Sequence, residues 1–230
     1  MFQRISKSLF ALLLIPLLVV GCGGKAAPPS TSSPLTQEPY APVIDPANFV
    51  AVVDNPYMPL KPGTTFVYEG KTEKGNEHNE VYVSSETKVI MEVTCVVVKD
   101  KVMVDGVLEE ATLDWYAQDK QGNVWYFGED SKEYKDGNVS STKGSWEAGV
   151  NSALPGIVMK ANPIVGETYR QEYYKGEAED LANVLSLSES ITIPFGSYND
   201  VLMTNEWSGL DNPPIYEHKY YAKDIGFIMT

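Results

Sequence analysis

From about residue 64 onward, apolar and polar positions alternate with a period of two, and β-branched or aromatic residues are interrupted by Gly, Asn and Asp. Alternation of that kind places successive side chains on opposite faces of an extended strand, so the pattern predicts antiparallel β-structure. The strands expected are 64–72, 80–88, 89–104, 107–117, 123–129, 131–134, 139–144, 168–174, 190–194, 200–207 and 216–222, with a last short one at 227–229. Asp105-Gly106, Gln118 to Gly122 and Asp136-Gly137-Asn138 read as hairpin turns. Residues 152–163 read as a loop, because Pro155-Gly156 and Asn162-Pro163 would interrupt an element. One helix is expected over Glu177 to Leu187, where Ala178, Leu181, Ala182 and Leu185 repeat at helical spacing behind three acids at its start.

The N-terminus follows a different pattern. Arg4 and Lys7 precede a run of about a dozen apolar residues ending in Leu18-Val19-Val20-Gly21-Cys22, too short to span a bilayer as a mature helix. That ending resembles the bacterial lipobox. The resemblance implies a signal peptide, residues 1–21, cleaved before Cys22, and palmitate-type acyl chains on Cys22 that anchor the protein to a membrane. An ordinary cleaved signal peptide with Cys22 as a bystander is the alternative. The stretch 22–39 is rich in Gly, Ser and Pro and reads as a spacer, and 40–230 reads as a single domain with no internal repeat.

Composition narrows the partners. Removing residues 1–21 leaves 16 basic against 31 acidic residues, a formal charge of about −15. Such a surface repels phosphates, which argues against nucleic acid. Cys95, in an apolar strand-like run, would be the one cysteine left after lipidation and reads as a small buried hydrophobe.

The expected fold is mainly β: a strongly curved antiparallel sheet, a barrel or half-barrel with one helix packed across it, or alternatively a two-sheet sandwich. The segments Asn55-Pro56-Tyr57-Met58-Pro59-Leu60-Lys61-Pro62-Gly63, Asp114 to Asp119, Gly122 to Glu129, Ile193 to Val201 and Tyr220 to Ile228 resemble an uncharacterised family of bacterial exported proteins and lipoproteins. The broader group to which they are similar includes the domain of unknown function 3108. The resemblance implies a curved β-sheet and a periplasmic or surface setting, and carries no known activity or catalytic residue.

Chemistry-bearing motifs are thin. His78 reads as solvated in a polar turn, and His218 alternates with aromatics; no G-x-S-x-G elbow, H-E-x-x-H pair or phosphate-cradling glycine loop is present. The local clusters Glu77/His78/Glu80 and Glu177/Glu179/Asp180 lack the ligand spacing of a metal loop, so no metal or cofactor is expected. Aromatic density remains, with Trp115, Trp125, Phe127 and Tyr173 as candidate ligand-binding residues on one face of a curved sheet. The simpler reading is that the same rings fill the core. Two functions follow: a non-catalytic envelope module, outer-membrane or surface anchored, for an apolar ligand or partner protein; or an envelope hydrolase acting on a glycan through paired carboxylates.

Overall fold

The computed structural model describes residues 40–230, of which 41–230 form one compact unit. The signal-peptide stretch, Cys22 and the spacer lie outside the described residues. Among the described residues, no helix is long and apolar enough to cross a membrane. The helical content of the described residues is a short 3-10 turn, Pro46–Asn48, whose start is capped by the Asp45 carboxylate accepting from the Ala47 N–H at 2.9 Å.

The chain enters through three two-residue strands, β1 (Phe49–Val50), β2 (Asp54–Asn55) and β3 (Met58–Pro59). Long hairpins follow: β4 (Thr65–Thr72), β5 (Gly75–Ile90), β6 (Val93–Val104), β7 (Val107–Asp119) and β8 (Val124–Lys135). The short strands β9 (Asn138–Ser141), β10 (Trp146–Glu147) and β11 (Leu154–Met159) come next, then β12 (Thr168–Arg170) and β13 (Glu172–Tyr173). The chain finishes with β14 (Asp180–Ile193), β15 (Gly196–Ser208), β16 (Glu217–Ala222) and β17 (Gly226–Met229). Ten strands make one strongly curved antiparallel half-barrel along the path β13-β11-β8-β7-β6-β5-β4, with β1 on β7 and β9 and β10 on β8. A five-stranded sheet, β12-β14-β15-β16-β17, completes the fold beside a small β2-β3 ribbon.

Register shifts explain the curvature. The β5/β6, β6/β7 and β7/β8 ladders each slip once, and β14/β15 slips three times, and each bulge adds local twist to a long strand. At Gly128 φ is +128°, and a Cβ there would fall 2.2 Å from the Trp146 carbonyl oxygen. Glycine is therefore required where β8 bulges under β10.

Several expectations are corrected. The segment 177–187 is not helical: it turns at Glu177 and runs into β14, where Ala182 and Val184 are both fully buried while Leu185 is exposed. Pairing with β12 on one side and β15 on the other satisfies a period of two, and non-local ladders override the weak 3.6-residue pattern. The loop expected over 152–163 contains β11. Gly156 is the residue that lets β11 pass within 2.3 Å, measured from an added Cβ, of the Gln171 backbone. The break expected between residues 88 and 89 is instead a hairpin at Met91-Glu92, which hold φ of 48° and 64°. Neither residue type signals such a turn. His78 is correspondingly in β5 rather than in a turn, opposite Glu69.

The Asn55-Pro56-Tyr57 segment closes one end of the fold. Asn55, 2% exposed, donates to the Gly122 and Lys160 carbonyls at 2.8 and 3.2 Å and accepts from the Tyr57 N–H at 2.9 Å. The Gln118 side-chain oxygen accepts from the N–H groups of Asp54 and Asn55, and Asp224 donates its N–H to the Pro56 carbonyl at 2.7 Å. A short segment thereby ties β7, the β11 exit and the β16–β17 turn together.

Candidate functional site

Cross-strand partners share a face, so the ladder register sorts the side chains of β4 to β8. One face carries Trp115 and Ala117 from β7 and Trp125 from β8, since Ala117 pairs with Trp125. Trp125 and Phe127 both pack edge-on against Phe49, at centroid distances of 6.2 and 5.6 Å. The Trp125 indole donates to Asp119 Oδ2 at 2.8 Å, and the Lys88 ammonium lies 3.4 Å above the Trp115 ring while pairing with Glu147 at 2.6 Å. Phe127 is fully buried and Trp115 is 6% exposed. The structure thus brings Trp125 and Phe127 together around Phe49. Tyr173, on the β13 edge of the sheet, is half-buried with the Arg170 guanidinium 4.6 Å from its ring centre.

The opposite face holds the unusual chemistry. Tyr68, Asn79, Asp100, Thr112, Asp114, Tyr116, Tyr126, Glu129 and Ser131 occupy it by register. It is also the face that meets the five-stranded sheet, because the Tyr68 ring packs on Phe227 at 5.1 Å and its hydroxyl donates to the Phe227 carbonyl at 3.3 Å. Tyr116 and Tyr126, directly paired, stack at 4.9 Å, and Trp146 meets Tyr126 edge-on at 5.5 Å. The Tyr126 hydroxyl donates to Asp114 Oδ1 at 2.6 Å and also lies 3.2 Å from Glu129 Oε2. The Trp146 indole donates to Glu172 Oε2 at 3.0 Å. Three carboxyl groups, each 9% exposed or less, therefore gather around two tyrosines.

Burial, the main cause, pushes the Asp114 carboxyl up to about 7. Burial also raises Asp100 and Glu110 and holds the Tyr116 and Tyr126 phenols well above their usual range, with Asp114 adding to both phenol shifts. Asn79 hydrogen-bonds Asp100 through its amide nitrogen, and Thr112 donates to Glu110 at 3.1 Å. The five-stranded sheet supplies a contrasting carboxylate. Burial would raise Glu206, but the Lys219 ammonium at 3.0 Å, with Thr204 at 2.8 Å and the Tyr221 hydroxyl at 3.0 Å, outweighs it and holds Glu206 below the ordinary range. Tyr221 is raised by burial and by Glu206, with smaller contributions from Tyr169 and Tyr116.

Several buried polar atoms here have no hydrogen-bond partner: the Tyr116 hydroxyl, both side-chain amide atoms of Gln171, and Asn79 Oδ1. Tyr116 and Gln171 are each 1% exposed. An orphaned buried polar atom costs about 1–3 kcal/mol, so such groups need an explanation in bound water, ion or ligand. Among the described residues, no three His, Cys, Asp or Glu side chains converge in a metal-holding arrangement. His78 sits on the outside between Glu69 at 2.7 Å and Glu80 at 3.2 Å, and these hydrogen bonds raise it.

Sequence reasoning passed over Asp114, Tyr116, Glu129, Gln171 and Glu172. A signal existed for the first three, since Asp114 and Tyr116 are two apart on one strand and Tyr126 and Glu129 lie three apart across a glycine bulge. Glu172 and Gln171 arrive from a distant strand, and no spacing announces them.

The fold and the site together define an all-β protein whose half-barrel encloses, against a second sheet, an interior of carboxyls and phenols. No protein-family model, curated protein or solved structure matches the chain.

Proposed function

We propose that this chain is a non-catalytic binding module of the cell envelope, tethered through lipid on Cys22, whose ligand occupies the interior between the half-barrel and the five-stranded sheet. The observation that carries the reading is the fully buried Tyr116 hydroxyl, which has no hydrogen-bond partner in that interior; the Gln171 side chain is equally buried and unpartnered. A packed core built for stability alone would leave neither unsatisfied. The lining also favours a ligand with polar groups over the apolar one that the spacing of Trp115, Trp125 and Phe127 suggests, because those rings lie against Phe49 and Lys88 instead.

The alternative of a glycan hydrolase is less well supported. The contacts to Tyr126 keep the Asp114 and Glu129 carboxyls within about 6 Å of each other, a spacing suited to retaining chemistry, but the Tyr126 hydroxyl fills the gap where a sugar carbon would react. The test is native mass spectrometry of the full chain purified in mild detergent from its own host, followed by denaturation. Release of a small molecule at near-stoichiometric amounts supports the module. A ligand-free mass in every gentle preparation contradicts it. The tether is tested separately by Cys22→Ser, which should release the protein from the membrane fraction.

A further inference from the structure

One end of the fold gathers exposed apolar side chains. The chain enters at the β7–β8 turn, where Lys120 donates its N–H to the Asn48 carbonyl at 2.8 Å and Phe49 pairs with Asp119. The β5–β6 turn at Met91-Glu92 lies at the same end, since antiparallel β6 starts where β7 finishes. The five-stranded sheet reaches that end too. Its β16–β17 turn is held to the entering segment by the Asp224 N–H on the Pro56 carbonyl, and the β14–β15 hairpin runs further in the same direction, because β16 pairs as far as Leu202 while β15 begins at Gly196. Ile164 and Val165 follow Lys160, whose carbonyl Asn55 holds, and precede Gly166, which donates to the Val184 carbonyl of β14. Val89, Met91, Ile164, Val165 and Phe195 at this end are 38–83% exposed. Phe195 is the clearest case. Ile193 pairs with Gly196, so Pro194 and Phe195 form the tip of a tight hairpin, a place that ordinarily takes Gly, Asn or Asp. The rest of this arm is accounted for: Ile191, Ile193 and Tyr198 pack against Val201, Ala222 and Ile228, and the Ser190–Asn199 and Thr192–Ser197 hydrogen bonds, both 2.9 Å, line the other face. Phe195 is left 83% exposed, in a stretch, Ser190 to Asn199, that carries no charge.

We propose that this end of the fold rests on a zwitterionic lipid surface, with Phe195 entering the head-group boundary of the bilayer to which the chain is tethered. The inference rests on the tethered reading of Cys22 and goes beyond it, because a tether alone leaves the orientation of the domain open. The spacer, 22–39, has 18 residues, and a Gly/Ser-rich linker of that length has a root-mean-square span of roughly 25 Å. The end where the chain enters is therefore the end held close to the lipid. Clustered apolar groups on a surface mark contact with a partner or a membrane, and an aromatic ring flanked by aliphatic side chains suits the boundary between head groups and acyl chains. Charge selects among the occupants. Anionic head groups and a second copy of so acidic a chain are both repelled, whereas a surface of zwitterionic lipid is not. The arm also presents Phe195 from a tip already fixed by its packed face, so little ordering is needed on contact.

The experiment uses the full chain reconstituted into phosphatidylcholine vesicles, with a thiol-reactive, polarity-sensitive fluorophore placed at Ser197→Cys, which keeps Phe195, or at Val139→Cys, in the β8–β9 hairpin at the opposite end. The wild-type chain should take up no label, because lipid occupies the Cys22 sulfur and Cys95 is 0% exposed. The label at 197 should emit further to the blue than the label at 139 and be quenched several-fold more strongly by lipid spin-labelled near its head group. Adding Phe195→Asp should bring the 197 label to the level of the 139 label with the urea midpoint unchanged, since the ring removed is exposed. Vesicles that carry the protein on flotation while both labels stay equally polar overturn the proposal and leave the tether standing. Label on Cys22 of the wild-type chain, in protein that does not float, shows instead that the tethered reading has failed and the docking with it. A 197 signal that survives Phe195→Asp overturns the proposal as well. So does one that rises with protein density and escapes quenching by the spin-labelled lipid, which would mark a second copy as the occupant.

Discussion

Asp114→Asn should stabilise this protein at neutral pH and remove part of an unusual pH dependence. A carboxyl pushed up from the ordinary aspartate range to about 7 means that, between those two values, the folded chain holds a proton that the unfolded chain has lost. Stability contributed by such a group is fully present below the unfolded value and is lost as pH rises through the folded value. A displacement of that size corresponds to about 4 kcal/mol at most, or about 10 °C in melting temperature for a chain of this size. Asp100 and Glu110 are raised in the same direction and add to the trend, whereas Glu206 is lowered and costs stability only when pH falls well below the ordinary Glu range. The full chain should thus melt progressively lower between pH 5 and about 7.5, the reverse of the usual behaviour of salt-bridged acids. Asn keeps the shape and can still accept from Tyr126, but it carries no charge to desolvate. Urea unfolding of both proteins across this pH range measures the difference. The variant's slope should be shallower by about one proton, and its stability at pH 7.5 should be higher by a few kcal/mol. Equal slopes, or a wild-type protein whose stability rises with pH across this window, would refute the reasoning.

Other substitutions probe the framework around the site. Lys219→Met leaves Glu206 buried without its cation and should cost about 3–5 kcal/mol in urea unfolding, while adding Glu206→Gln to the same chain should recover much of the loss. Asn55→Ala removes three hydrogen bonds at a buried position and should cost about 3 kcal/mol, with proteolysis appearing first in the released 50–60 segment. Gly156→Ala forces a methyl against the Gln171 backbone and should lower the melting midpoint by several degrees and shift the Trp146 fluorescence, since Trp146 donates to the neighbouring Glu172.

Strand identity was largely legible in the sequence, because alternation at positions such as 65–72 and 200–207 reflects one buried face. The half-barrel followed from strand count, length and scarcity of helix. What misled was local composition taken without its partners. Ala178, Leu181, Ala182 and Leu185 fit a helical face, yet Leu181 pairs with Arg170 and Trp207 across two ladders that no local pattern reveals. Pro155-Gly156 looked like a breaker because the close approach of Gln171, which demands glycine, is a contact between strands. At the site, the division of Trp125 and Phe127 from Tyr126 was readable from alternation. The sheet packing was not, and it is this packing that brings Glu172 from a distant strand toward Tyr116.

The most direct test is a high-resolution crystal structure of the protein purified gently from its own host. Non-protein density between the sheets within hydrogen-bonding distance of the Tyr116 hydroxyl is the result expected. An interior in which the Tyr116 hydroxyl and the Gln171 amide find partners in the protein itself, with no density between the sheets, would contradict a ligand site.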